Sequence, residues 1–219
     1  MRLRLALFDL DGTLKCERDP YVYLHKQLGT WDQTHEFSRL GMEGKISYAE
    51  WLRRDTELWA GHSAEHVLSL FRANPYVPGA PELLRSLKRA GVTVALISTG
   101  LTLHSELVRS EFGLDFSFAN EAVVANGRLT GDSVERVPEG GKGAIADHLM
   151  SELEVGPRGL LAVGDSTSDI ALFERAGRSV AVNPSSDVVC SAADFVLEDR
   201  DLRPLLPKLM EWYPDLNER

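Results

Sequence analysis

Asp9 and Asp11 stand two residues apart in Leu7-Phe8-Asp9-Leu10-Asp11-Gly12-Thr13-Leu14, directly after an apolar run that starts a few residues from Met1. Strands repeat every two residues, so a strand carried through this stretch would put both carboxylates on one side. Adjacent carboxylates repel unless a cation or a shared proton intervenes, and a divalent metal is the expected relief. Gly12 permits a sharp turn there, and Thr13 adds a hydroxyl and a backbone N–H that suit an oxyanion.

Three further stretches carry chemistry of the same kind. Leu96-Ile97-Ser98-Thr99-Gly100 reads as an apolar strand ending in hydroxyls and glycine just ahead of a helix. Free N–H groups at a helix start bind phosphate, and the Ser98 hydroxyl adds a donor; plain capping by Ser98 or Thr99 explains the same residues. Gly140-Gly141-Lys142-Gly143 holds a lysine in a glycine-rich approach to a helix. A lone loop lysine is ordinarily solvated, but a fixed ammonium would neutralise clustered carboxylates and a phosphoryl group. In Val163-Gly164-Asp165-Ser166-Thr167-Ser168-Asp169, Asp165 suits a hard cation such as Mg²⁺. Ser166 and Asp169 also spell a helix cap, and both readings can hold for Asp169.

These four stretches need elements that bring them to one place. Alternating periodicities predict helices at 80–90, 102–112, 143–153 and 170–176, with strands at 93–98, 116–119, 160–164 and 179–182. That alternation is the βαβ rhythm of a mostly parallel sheet, and such sheets build their sites at the carboxyl ends of strands. Asn126-Gly127, flanked by Val123–Ala125 and Arg128–Leu129, predicts an antiparallel hairpin. A last edge strand is expected at 194–197, before a terminal helix with Pro204 and Pro207 near its start. Between the first motif and Pro75 the pattern turns helical, with apolar residues three and four apart at 21–28, 48–59 and 64–71. The expected fold is α/β: a Rossmann-like, doubly wound, mostly parallel sheet core (1–14 and 76–219) with a helical cap (15–75) inserted after the first strand.

Composition excludes other classes. A chain of 219 residues with 43% apolar content can bury a substantial core. Its 24 Lys and Arg against 33 Asp and Glu, a net charge of −9, argue against a nucleic-acid partner and against an anionic membrane. Cys16 and Cys190 form neither a disulfide framework nor a zinc spacing, which fits a reducing compartment. The opening apolar run is cut by Asp9 far below the length of a signal-peptide core or membrane span, so a cytoplasmic location is expected. His62 and His66, four apart, read as a surface pair rather than a metal site.

Taken in order, the four motifs resemble the haloacid dehalogenase superfamily of aspartate-nucleophile phosphatases, whose pattern is D-x-D-G/S-T, a strand-end S/T, a lysine before a helix, and G-D-x-x-x-D. The resemblance implies that Asp9 attacks phosphorus to form an aspartyl-phosphate and that Asp11 protonates the leaving oxygen and then activates water. It implies Mg²⁺ held by Asp9, Asp165 and the backbone carbonyl of Asp11, with Asp169 supporting. Thr13, Ser98, Thr99, Gly100 and Lys142 would bind phosphoryl oxygens of a small phosphorylated metabolite.

The chain is most similar to the phosphoserine phosphatase branch. The likeness rests on the helical insertion, Met42-Glu43-Gly44-Lys45-Ile46-Ser47-Tyr48 within it, the hairpin at Asn126-Gly127, and Asp199-Arg200-Asp201-Leu202-Arg203. There the insertion closes over the site and reads the leaving group. In this chain the branch's amine-binding glutamate is replaced by Arg18, between Glu17 and Asp19, and its carboxylate-binding arginine by Asp55, after Arg53 and Arg54. A one-residue shift at both places would restore Glu17 and Arg54 as amino-acid readers. Ser168 stands where the branch commonly has asparagine. Phosphoserine is the first candidate substrate; a phosphotransferase, a phospho-accepting signalling module and a catalytically silent binding protein are the alternatives.

Overall fold

The computed structural model describes residues 2–218. Its centre is a seven-stranded sheet in the order β4-β3-β2-β1-β5-β6-β7. The strands are β1 (Leu5–Phe8), β2 (Thr93–Leu101), β3 (Phe116–Ala125), β4 (Arg128–Val134), β5 (Leu160–Gly164), β6 (Arg178–Val182) and β7 (Phe195–Leu197). Every neighbouring pair is parallel except β3 and β4, the antiparallel hairpin. β1 is buried throughout, as a central parallel strand covered on both faces must be. Ala6 and Phe8 enter a core with Leu84 and Leu87, whereas Leu5 and Leu7 enter a second core with Ala146 and Leu149. This alternation holds the end of β1, and hence Asp9, fixed between two packed layers.

The helices are α1 (Pro20–Leu28), α2 (His35–Met42), α3 (Tyr48–Leu58), α4 (Ala64–Ala73), α5 (Ala80–Arg89), α6 (Thr102–Phe112), α7 (Lys142–Glu152), α8 (Ile170–Phe173), α9 (Asp187–Ala192) and α10 (Leu205–Trp212). Helices α1 to α4 follow β1, and the apolar spacing predicts α1, α3 and α4. Their starts are set locally: the Asp19 carboxylate accepts from the N–H groups of Tyr21 and Val22, and Ser47 and Ser63 accept from Glu50 and His66. A third core ties this layer to the sheet, with Leu24, Leu52, Trp59, Val67 and Phe71 packing against Leu101, Ala122 and Leu129. The hairpin also bonds the helical layer directly, the N–H of Gly61 donating to Leu129 and that of Ala64 to Gly127.

The structure departs from the expected elements in four places. Helix α2 is additional; Phe37 alone of its side chains is buried, so no apolar stripe announces it. Helix α9 is likewise additional and buries only Val189. A 3₁₀ turn at Thr167–Asp169 precedes a shortened α8. Finally, β2 runs past Ser98 to Leu101, and β3 past Ala119 to Ala125. The extension of β2 overturns the expectation that Ser98 or Thr99 lies at a helix N-terminus, because α6 starts at Thr102 with Leu101 before it.

Trp59 is the largest fully buried side chain of the third core and donates its indole N–H to His25 Nδ1 at 3.1 Å. Trp59→Ala should lower unfolding stability by about 3–5 kcal/mol in a denaturant titration, the cost typical of emptying a packed tryptophan site. A change under 1 kcal/mol, on the order of a surface substitution, would mean that this core does not couple to the global fold.

Candidate active site

The ends of β1, β2 and β5 and the start of α7 converge on one pit. Asp9 follows β1, and its N–H donates to Val163 of β5, so the residue stays in the line of the sheet. The chain then turns through Gly12 at φ 90°, where a Cβ would lie 2.5 Å from Asp165 Oδ2; glycine satisfies both demands. At Gly164 a Cβ would overlap the Asp169 carboxylate, so the second acidic loop also depends on a bare backbone.

Lys142, the first residue of α7, is buried rather than solvated. Its ammonium lies 2.6 Å from Asp9 Oδ1 and 2.6 Å from Asp169 Oδ1. Burial works against the charged form, but Asp169 and Asp9 outweigh it and hold the ammonium above its ordinary pKa. The other oxygen of Asp169 accepts from the N–H groups of Asp165 and Ser166 and from the Ser166 hydroxyl, forming a capping box. Asp169 thus positions both Lys142 and the Asp165 loop.

Asp9, Asp165 and Asp169 each offer a carboxylate oxygen within 4.8 Å of the others. Burial raises the pKa of Asp9 well above the usual carboxylate range, Lys142 opposing and the neighbouring acids adding to the rise. Burial, then Asp169, pushes Asp165 up to about 7, with Arg18 and Lys142 opposing. Asp9 Oδ2 is buried without a hydrogen-bond partner. Crowded acids and an orphaned carboxylate oxygen fit a hard divalent cation.

Asp11 turns its side chain away from this cluster. Its Oδ2 accepts from the Ser98 hydroxyl at 3.0 Å, and its Oδ1 lies 2.9 Å from His104 Nδ1. The Ser98 oxygen in turn accepts from the N–H of Gly100. A Cβ at Gly100 would lie 2.6 Å from Asp11 Oδ2, so this glycine permits the close approach. Thr13 places its hydroxyl 3.4 Å from Asp165 Oδ1. Asp9, Asp11, Ser98, Thr99 and Asp165 line a cavity of about 220 Å³.

A second cavity of about 230 Å³ shares Arg18, Pro20 and Thr99 with the first and is walled by α1 and α3. Arg18 and Asp55 line it, and Glu17 and Arg54 do not. Glu17 is exposed, with its N–H on Asn74, and Arg54 pairs with Glu50 at 2.7 Å. The expected one-residue shift therefore does not occur: Asp19 caps α1 and fixes Arg18 at the mouth, while α3 turns Asp55 inward and Arg54 outward.

His104 was invisible to motif reasoning. It is wholly buried, touches Asp11, and stacks on Phe71 of α4 at 4.3 Å and 8°. Its place on the first turn after the second motif was the available signal. Tyr21 and Tyr48 were also missed; both hydroxyls donate to the carbonyl of Thr99.

Residues 6–174 match the family model of the haloacid dehalogenase-like hydrolases. A phosphoserine phosphatase of Methanocaldococcus jannaschii is 30% identical over 204 residues, covering 93% of this chain and 96% of the relative. One of Archaeoglobus fulgidus is 33% identical over 200 residues, covering 91% of this chain but 58% of the longer relative. A solved substrate-bound phosphoserine phosphatase complex superposes with TM-score 0.80 at 29% identity, covering 95% of this chain and 99% of that one. With its acids, lysine and the β2 serine gathered at the carboxyl edge of the sheet, the chain belongs to the haloacid dehalogenase-like hydrolase family and is a phosphatase of that family.

Proposed function

We propose that this protein is a Mg²⁺-dependent phosphomonoesterase that hydrolyses a small phosphorylated metabolite through an aspartyl-phosphate on Asp9. The observation that carries this reading is the Asp9 carboxylate, held through one oxygen by Lys142 and unpartnered at the other, beside a cavity it shares with Asp11 and Ser98. Asp9 attacks phosphorus as the ester P–O bond breaks, and the leaving oxygen takes the proton of the Asp11 carboxyl. Asp11, now ionised, accepts a proton from water as the water oxygen attacks phosphorus and the bond to Asp9 breaks. Inorganic phosphate leaves, Asp9 is a carboxylate again, and Asp11 is reprotonated.

Lys142 and Ser98 would hold phosphoryl oxygens, the serine turning toward the phosphate the proton it otherwise gives Asp11. Thr99 lines the cavity, Gly100 donates its N–H to the Ser98 oxygen, and Thr13 steadies Asp165. Asp9, Asp165 and the Asp11 carbonyl would hold Mg²⁺, with Asp169 supporting; when bound, the ion offsets the negative charge of carboxylates and phosphate. Relatives named for phosphoserine make that ester the first to assay. No helix among the described residues is long and apolar enough to cross a membrane, and both cysteines are free, so we assign the enzyme to the cytoplasm.

Three measurements test this reading. Phosphate release from p-nitrophenyl phosphate and a panel of metabolite esters should need Mg²⁺ and fall by about 10³-fold or more in Asp9→Asn, since the nucleophile is lost; activity that survives the substitution removes the mechanism. Metal binding has a second readout in stability. Without metal, folded Asp165 keeps a proton up to about pH 7 that the unfolded chain releases near 3.8, so stability should fall as pH rises through that window. Added Mg²⁺ should therefore raise the melting temperature more at pH 8 than at pH 5, by on the order of 5 °C; an equal shift at both would separate the acids from metal binding. His104→Phe, which keeps the stack on Phe71 but deletes the bond to Asp11, should lower kcat by about 10–100-fold with little change in KM. His104→Asn, which restores a donor, should recover part of that loss.

A further inference from the structure

The second cavity has a charge arrangement that the hydrolytic chemistry does not use. Asp55 lies on its wall, 4% exposed, and among the described residues its carboxylate has one hydrogen bond, to His25. Trp59 Nε1 can only donate and lies 3.1 Å from His25 Nδ1, and the Thr30 hydroxyl lies 2.7 Å from the same nitrogen. Nδ1 is therefore an acceptor, and the ring proton sits on Nε2, donating to Asp55 Oδ1 at 2.9 Å. A neutral donor thus fixes one carboxylate oxygen, and the other has no hydrogen bond among the described residues. No lysine or arginine among the described residues pairs with Asp55.

The surrounding walls suit a cation as well. Trp31 and Trp51 line the cavity with Tyr21 and Tyr48. The two tyrosine hydroxyls already donate to the Thr99 carbonyl, so these residues have ring surface left to offer. A Cβ at Gly41 would overlap the Trp51 ring, so a glycine in α2 makes room for that wall. Arg18 is the single lysine or arginine of the lining, and its guanidinium lies at the mouth, against Asp165 at 3.3 Å and the Asn183 carbonyl. A carboxylate carried to Asp55 would meet an anion and aromatic rings; an ammonium would meet a free acceptor and π faces.

We infer that this cavity selects, as the leaving group of the proposed phosphomonoesterase, an amino alcohol whose primary ammonium is received by Asp55 and which carries no carboxylate beside it. Asp55 is then the specificity-determining residue, held in place by His25, Thr30 and Trp59. Burial raises the pKa of Asp55, with His25 opposing, and a bound ammonium supplies the positive charge that this carboxylate lacks. The inference rests on the phosphomonoesterase reading and can fail independently of it.

The test compares kcat/KM of the full chain with Mg²⁺ on O-phosphoethanolamine, on its neutral isostere propyl phosphate, and on O-phospho-L-serine, with p-nitrophenyl phosphate in parallel. O-phosphoethanolamine should be favoured by about tenfold or more over both other metabolite-like esters. In Asp55→Asn, which keeps an acceptor for His25 and whose folding is checked by thermal melting, the ratio to propyl phosphate should fall to about one. Turnover of propyl phosphate as efficient as that of the amine, or a preference for O-phospho-L-serine, in the wild-type chain overturns the inference alone. Loss of turnover on every ester, p-nitrophenyl phosphate included, overturns the phosphomonoesterase reading and this inference with it.

Discussion

A buried ammonium between two buried carboxylates holds the rest of this site together. Lys142 is 1% exposed, and taking a single charge to that depth is prohibitive unless it is paired and hydrogen-bonded. Asp9 and Asp169 meet that requirement from two different strand ends, so the pairing draws α7, the end of β1 and the loop after β5 to a single point. The arrangement leaves an excess of acid: Asp165 sits beside the pair with Arg18 at its outer side, and Asp9 keeps an oxygen with no partner. A site with one fixed ammonium and several carboxylates is incomplete without further positive charge, which is what a divalent ion brings.

The extension of β2 does the corresponding work for the other half of the pit. Had the strand ended at Ser98, the hydroxyl would have capped a helix; instead it points at Asp11 while the next carbonyl, Thr99, accepts from Tyr21, Tyr48 and Asn120. The hydrogen-bonding groups of two consecutive residues therefore join the acid of the first motif, the helical layer and the β3 strand. His104 adds a second link of this kind, since it touches Asp11 on one side and stacks on Phe71 of α4. Movement of the helical layer relative to the sheet would be felt at Asp11 through both contacts.

The parts of this design that were legible in the sequence are those with short-range causes. Apolar runs ending in Asp9 and Asp165 marked the buried strands and their acidic ends, and Asn126-Gly127 marked the hairpin. The alternation of strands and helices was enough for a parallel sheet with a helical insertion after β1. What stayed hidden depended on contacts between distant residues. Nothing near Lys142 in sequence says that it is buried, because its partners lie 133 and 27 residues away. His104 looked like one histidine among six for the same reason. The extra residues of β2 and β3 are held by cross-strand and cap contacts rather than by their own propensity, and α2 lacks the apolar stripe by which a helix is recognised.

The second cavity shows why catalysis and selection can diverge on one scaffold. The residues proposed for hydrolysis are fixed at the sheet, where buried ion pairs and close glycine contacts, as at Gly12 and Gly100, hold them. The wall proposed for the leaving group is built from side chains of α1 and α3, and the outward face of α3 carries surface ion pairs of Glu50 with Arg53 and Arg54. Such exposed pairs contribute little to stability; the face that α3 turns inward is set by the burial of Leu52 and by the Thr56 hydroxyl, which donates to the Gly131 carbonyl. Asp55 nonetheless had to be accommodated, and His25, Thr30 and Trp59 form a buried chain that positions one of its oxygens without neutralising it. A carboxylate kept in that state has a structural cost that packing alone does not explain, and a cationic group entering from the phosphoryl side would offset it.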